Sequence, residues 1–494
     1  MRKKMPIFYS ALLLTGVNLL LRLVGTSFQV YLSSRIGAEG IGLLQLVLSV
    51  GSMAMVAGIA GVRTATMYLT AEELGRGKSG SIKWILSGCM GYSILCSGTV
   101  AAAVYTFAPF LAENWIGNSQ TLNVIRLYAA FLPVNCLTGV MVGYFTGANR
   151  IGTLAAVEVA EQLASMSCTI LLLTSWAKHD AARCCQAVVM GSGLGACLTL
   201  SCLMILRLCE RSTSGARIPV TRRLLDCAAP LALADDLKTG INTLENLMVP
   251  KRLAMFPGLE SPLAAFGVVS GMVFPILMFP SCILFGLAEL LIPELARCAA
   301  AGSRKRISYL VHRSLKVALL YGFLFCGLEF LLADELSMSL YGNSDAGAQL
   351  KLYALLIPML YCDAITDAMT KGLGQQKICV RYNILTSVLD VIFLFILLPH
   401  YGMTGYFVSF FVTHLINFIL SLRRLLKITG EYIPVHVPLF ALAATAAAML
   451  IVSYLSNSTT RAILFPVTLA CMLYLMKVIR REDISWLKGL ICRR

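Results

Sequence analysis

The chain has 494 residues, of which 58% are apolar and 13% charged, with a mean hydropathy of +0.78. A water-soluble domain of this size cannot present that balance to solvent, so the fold class read from composition is an all-α integral membrane protein. The formal charge of +16 does not mark a nucleic-acid binder, because the lysines and arginines sit in short segments between apolar runs, where membrane topology accounts for them.

The opening Met-Arg-Lys-Lys-Met-Pro resembles the start of a signal peptide. The apolar run behind it is too long for one and lacks a small-residue cleavage site, so the first helix is expected to be retained. Apolar runs broken by Gly, Pro and charge clusters predict fourteen membrane helices, at 7–33, 41–70, 83–108, 122–147, 152–176, 186–206, 224–249, 262–295, 308–333, 352–370, 380–398, 404–422, 434–455 and 462–479. Counted over alternate loops, about 28 of the 41 Lys and Arg residues fall on the side that holds both termini and about 7 on the other, which places both ends in the cytoplasm. The longest loops, near 208–223 inside and 334–350 outside, leave no room for a soluble catalytic domain.

The chain divides into two similar halves. Arg22 precedes Arg35 by thirteen residues, as Lys238 precedes Lys251; Pro133 precedes Gly147 by fourteen, as Pro358 precedes Gly372. These matched spacings predict two six-helix repeats, 1–215 and 216–430, followed by two extra helices and a basic tail in 431–494.

Three cations fall inside apolar runs: Arg22 in the first, Arg63 in the second and Lys238 in the seventh. An unpaired cation at that depth costs roughly 2.5–3.5 kcal/mol on insertion scales, so such groups face a wet cavity or a counter-charge. Either they line a path for an anion, or nearby carboxylates such as Asp235 and Asp236 neutralise them. Arg35, Lys251 and Arg252 stand at the outer mouth of the same helices, to receive an anionic head group or simply as solvated interfacial charge. Asp235 and Asp236, with Asn383, Ser387 and Asp390 on one face of helix eleven, form a set of oxygens suited to sodium or a proton, or else a structural polar seam. Glu158 and Glu161, and Asp363 and Asp367, are further pairs that share a helix face.

No catalytic, metal or nucleotide motif emerges. The seventeen cysteines are scattered, with only Cys184 and Cys185 adjacent, and the five histidines (His179, His312, His400, His414, His436) form no HExxH pattern. A GxxxxGK[ST] loop is absent, so ATP is not the energy source; the reading is a non-enzyme without cofactor, driven by membrane potential or a coupled Na⁺ or H⁺.

Several segments carry a family likeness: Ile36-Gly-Ala-Glu-Gly-Ile-Gly-Leu-Leu-Gln-Leu, Ala60-Gly-Val-Arg, Leu69-Thr-Ala-Glu-Glu, Phe266-Gly-Val-Val-Ser-Gly-Met, Leu291-Ile-Pro-Glu-Leu-Ala and Gly372-Leu-Gly-Gln-Gln-Lys. In order and spacing they resemble the polysaccharide-transporter branch of the multidrug/oligosaccharidyl-lipid/polysaccharide flippase superfamily. The resemblance implies two six-helix lobes in a V around a central cavity, a bacterial cytoplasmic membrane, and undecaprenyl-pyrophosphate-linked sugars as cargo. Relatives that flip lipid II use cavity arginines on helices one, two and eight. Arg22 and Arg63 match the first two, while the third region reads Val269-Ser-Gly-Met-Val, without a basic residue. Two other readings stay open at this point: a cation-coupled multidrug efflux transporter, and a membrane glycan polymerase or ligase. The expected partners are the lipid-linked sugar and membrane lipids, with no nucleic acid; a monomer is compatible with all of this.

Overall fold

The computed structural model describes residues 7–76, 79–177, 180–209, 220–432, 434, 436–455 and 457–479. Arg2, Lys3, Lys4, Lys78, Lys178, His179, Arg211, Arg217 and the basic tail from Arg480 onward lie outside the described residues. Among the described residues every regular element is helical, with no strand. In chain order the helices are α1 (Ile7–Ile59), α2 (Val62–Gly75), α3 (Ile82–Thr106), α4 (Leu122–Gly147), α5 (Ile151–Leu172), α6 (Ala181–Leu208) and α7 (Val220–Leu253). Then follow α8 (Pro262–Met278), α9 (Ser281–Ala300), α10 (Arg304–Leu331), α11 (Ala333–Tyr341), α12 (Ser344–Ala354), α13 (Ile357–Gly372), α14 (Gln376–Thr429), α15 (His436–Ser453) and α16 (Ser458–Leu475).

Each of the fourteen expected ranges falls on helix, but their ends differ. Among the described residues nine helices are long and apolar enough to cross a membrane, or eleven if each bent pair is one span. The lower number has a physical cause. The expected loops at 34–40 and 399–403 are single-residue kinks, at Gly37 (φ 78°) in α1 and Gly402 (φ 54°) in α14, so each long helix carries two of the expected spans. Glycine takes these left-handed angles without the Cβ clash other residues suffer. α7 is too polar to qualify, holding Asp226, Asp235, Asp236, Lys238 and Glu245. The expected second helix breaks at Ala60–Gly61, and the expected outer loop at 334–350 is instead two short helices, α11 and α12, joined through Gly342 and capped by the Asn343 side chain. α8 and α9 form one bent pair, at 63°, and α12 and α13 the other, at 56°.

By packing, the chain forms two compact units, residues 1–267 with 391–403, and residues 268–390 with 404–494. This grouping does not follow the expected boundary at 215/216, because α7 packs along α1 and α2.

In the first unit, small residues let helices approach closely. α4 presents Gly139, Gly143 and Gly147 at helical spacing to α2; a Cβ at Gly147 would stand 2.5 Å from the Met67 carbonyl oxygen, and one at Gly143 would overlap that of Arg63. Val62, Leu69, Ile85, Phe145, Leu203 and Leu224 form the apolar core around this contact. α7 is tied to α1 by Thr243, which donates to the Ser49 carbonyl (3.1 Å), and by Asn246, which donates to Ser49 Oγ (2.9 Å). At its other end Arg223 reaches Glu72 (2.7 Å) and the fully buried Glu73 (3.0 Å) on α2, with Arg76 closing the network.

In the second unit, α15 and α16 pack on α10 through Phe323, Ala441, Ala444, Ala448, Phe465 and Leu469. Gly327 makes room for the Phe465 ring, and Gly322 for Pro358 of α13. The second limb of α14 carries Ser409, Thr413, Asn417 and Ser421 four residues apart, all buried.

Candidate anion site of the first unit

The break between α1 and α2 decides the setting of Arg63. Ala60 and Gly61 both have positive φ (42° and 72°), and α2 restarts at Val62. The Ala60 carbonyl, freed by the break, lies 3.5 Å from the Tyr92 hydroxyl of α3, and α7 approaches so closely that a Cβ at Gly61 would stand 2.5 Å from the Ala228 carbonyl oxygen. The first backbone bond of α2 runs from Ala65 N–H to the Gly61 carbonyl (3.1 Å), so the N–H groups ahead of it have no acceptor within the helix. Arg63 therefore stands in the first turn of a helix whose positive dipole end opens inside an otherwise apolar run. The sequence reading missed this break; Gly58 and Gly61 around Ala60 were the signal that could have shown it.

Arg63 is exposed and forms no ion pair within 4 Å among the described residues. Its electrostatic neighbour is Glu158, half-buried on α5, which also feels Glu161. Glu161 is turned to α6, where it accepts a hydrogen bond from Thr199 (2.7 Å). Arg22 is likewise exposed on α1. One turn further on, a Cβ at Gly25 would stand 3.6 Å from Gln162 Nε2, so this stretch of α1 runs beside the polar face of α5. The first unit thus places Glu158 within electrostatic range of Arg63, and Gln162 beside Gly25 of α1.

The other expected residues divide. Lys238 is exposed on α7 and makes no hydrogen bond or ion pair with a described residue. Asp235 is exposed, whereas one oxygen of Asp236 is buried without a donor. Arg35 is exposed, 5.8 Å from the Tyr31 ring centroid on its own helix. Lys251 donates to the Asn114 carbonyl, and Arg252 stacks over Phe395 at 3.3 Å, so both are engaged by the protein itself. In the second unit Asn383 and Ser387 are half-buried, and Asp390 is buried and accepts from Ser409 (2.5 Å) and Thr413 (3.2 Å) of the second limb of α14. Every described cysteine is free, and no group of metal-ligating residues occurs among the described residues.

Together, the bent and kinked membrane helices and the charged residues within them define a multi-pass membrane protein, and its fold is that of solved MOP-superfamily structures. The inward closed structure of the lipid II flippase MurJ superposes with a TM-score of 0.69 at 13% identity, covering 96% of this chain and all of that one. An inward-facing multidrug-resistance MATE transporter of the MOP superfamily superposes with a TM-score of 0.65 at 14% identity, over 84% of this chain and 96% of that one. In sequence the chain is similar to Stage V sporulation protein B of Bacillus subtilis (strain 168), 22% identical over 482 residues, which cover 94% of this chain and 91% of the relative. No protein-family model matches. The flippase-superfamily resemblance read from the sequence motifs is borne out by these full-length matches.

Proposed function

We propose that the protein is a flippase that moves an undecaprenyl-pyrophosphate-linked glycan, lipid II or a polysaccharide precursor, from the inner to the outer leaflet of a bacterial cytoplasmic membrane by alternating access. The observation that carries this reading is Arg63: a permanently charged guanidinium, unpaired among the described residues, at the N-terminal turn of a helix broken inside an apolar run. A lipid diphosphate is the membrane-borne ligand that such a fork and dipole suit best. Arg22 is the second cation of the proposed site, with Lys238, Arg35 and Arg252 as further contacts along the path. The full-length likeness to the sporulation protein and to MurJ supports a lipid-linked cargo over a free drug.

In this reading the protein changes the leaflet of its cargo and not its covalent structure. Both termini are cytoplasmic, and 431–494, which carries α15 and α16, follows the two repeats 1–215 and 216–430. Coupling to Na⁺ or H⁺ runs through Asp390 with Asn383, and through Asp235 and Asp236. Reconstitution into liposomes with fluorescent lipid-linked sugars tests the proposal. Leaflet transfer in wild type that falls in both Arg22→Ala and Arg63→Ala supports it; unimpaired transfer in both variants refutes the anion site. A covalently altered product would make the protein an enzyme instead. The MATE likeness keeps drug efflux as the second reading, and a deletion strain hypersensitive to cationic drugs would favour it.

A further inference from the structure

Glu329 lies near the end of α10, is 4% exposed, and neither of its carboxylate oxygens has a hydrogen-bond donor among the described residues. An ionised carboxylate held that way would have no compensation for its lost hydration.

Among the described residues no counter-charge faces it. On its own helix it is within electrostatic range of Tyr321 and Cys326, and from α13 of Tyr361. Cys282 of α9 borders the same two tyrosines. α15 offers no titratable group between Val437 and Ser453. The charges on the remaining neighbours are engaged elsewhere: Arg461 of α16 with Glu335 of α11 (3.4 Å), and Lys351 of α12 with Asp334 of α11. Asp345 of α12 is exposed, the Tyr341 hydroxyl of α11 donates to the Met272 carbonyl (3.1 Å), and Cys471 and Tyr474 lie towards the opposite end of α16.

Two of the groups within electrostatic range of Glu329, Tyr321 and Tyr361, also hold the bend between α8 and α9. Tyr321 donates to the Pro280 carbonyl (2.8 Å) and Tyr361 to the Leu277 carbonyl (2.9 Å), on either side of the helix break. An ionised Glu329 would change the electrostatic field at both hydroxyls. Losing or gaining one proton therefore changes what stabilises the 63° bend.

We propose that Glu329 is a reversible proton-binding site of the second unit, separate from Asp390 and linked through Tyr321 and Tyr361 to the bend between α8 and α9. Its part in transport rests on the flippase reading; its existence does not. Infrared spectroscopy of the full chain in lipid, without cargo, follows the C=O stretch of protonated carboxyl groups from acid to alkaline pH. A band that is present at neutral pH, fades reversibly at alkaline pH, disappears in Glu329→Gln and shifts in Glu329→Asp is the expected result. A wild-type spectrum with no band that Glu329→Gln removes, or a band that never titrates while the protein stays folded, overturns the site. In the liposome assay, Glu329→Gln is expected to keep cargo transfer but lose its pH dependence. A wild-type pH profile in that variant refutes the link to transport, and if no cargo moves in wild type the infrared result still decides the site.

Discussion

A charged side chain in an apolar helix is informative through what it fails to touch. Arg63 has a carboxylate within electrostatic range, Glu158, yet no ion pair among the described residues, so its guanidinium keeps donors for a ligand. One charge-assisted hydrogen bond contributes about 1.5–3 kcal/mol, so Arg63→Ala should slow leaflet transfer by about tenfold or more. Arg63→Lys, which keeps the charge but loses the fork, should recover part of that rate in the same liposome assay. Arg223 shows the contrasting case. It is committed to Glu72 and to buried Glu73, so Arg223→Ala should lower stability by about 2 kcal/mol, because Glu73 is left with only the longer contact to Arg76 at 3.5 Å. Thermal unfolding in detergent would register that loss, and an unchanged midpoint would show the network to be incidental.

At the scale of helices, close approach is set by glycine. Gly143 and Gly147 put α4 directly against the backbone of α2, and thereby hold the turn that presents Arg63. Gly143→Val inserts a side chain where the Arg63 carbonyl already stands. The expected cost is about 1–3 kcal/mol of overpacking, seen as a lowered unfolding temperature together with impaired transfer. Gly152, whose added Cβ would meet nothing within 4 Å, is the control: Gly152→Ala should leave both quantities unchanged. Kinks show what pattern reading resolves. The pairs 7–33 with 41–70 and 380–398 with 404–422 were legible as apolar runs, but whether a loop or one left-handed glycine joins each pair depends on local backbone angles that hydropathy does not encode. The same applies to α11 and α12, whose polar composition reads as loop until packing on α10 gives the helices a buried face.

For the whole molecule, the orientation drawn from the lysine and arginine bias makes a direct prediction. Cys209, exposed at the end of α6, should be cytoplasmic. In a variant keeping Cys209 as its single cysteine, a membrane-impermeant thiol reagent should label inverted vesicles and spare intact cells; the reverse pattern would invert the topology. Composition alone determined the helical membrane class, because burying this much apolar surface in water is not possible for one chain of this length. The positions of most spans and the presence of cations within them were likewise written in local order, since hydropathy and charge belong to single residues. Which cations stay unpaired was not. That Arg252 stacks on Phe395, that Lys251 holds the Asn114 carbonyl, that Asp390 is tied to Ser409 and Thr413, and that Arg63 opens a broken helix are outcomes of contacts between residues far apart in the chain. Glu329 is the extreme case: in the sequence it is one acid near a helix end, and only tertiary packing leaves it buried with no hydrogen-bond donor among the described residues.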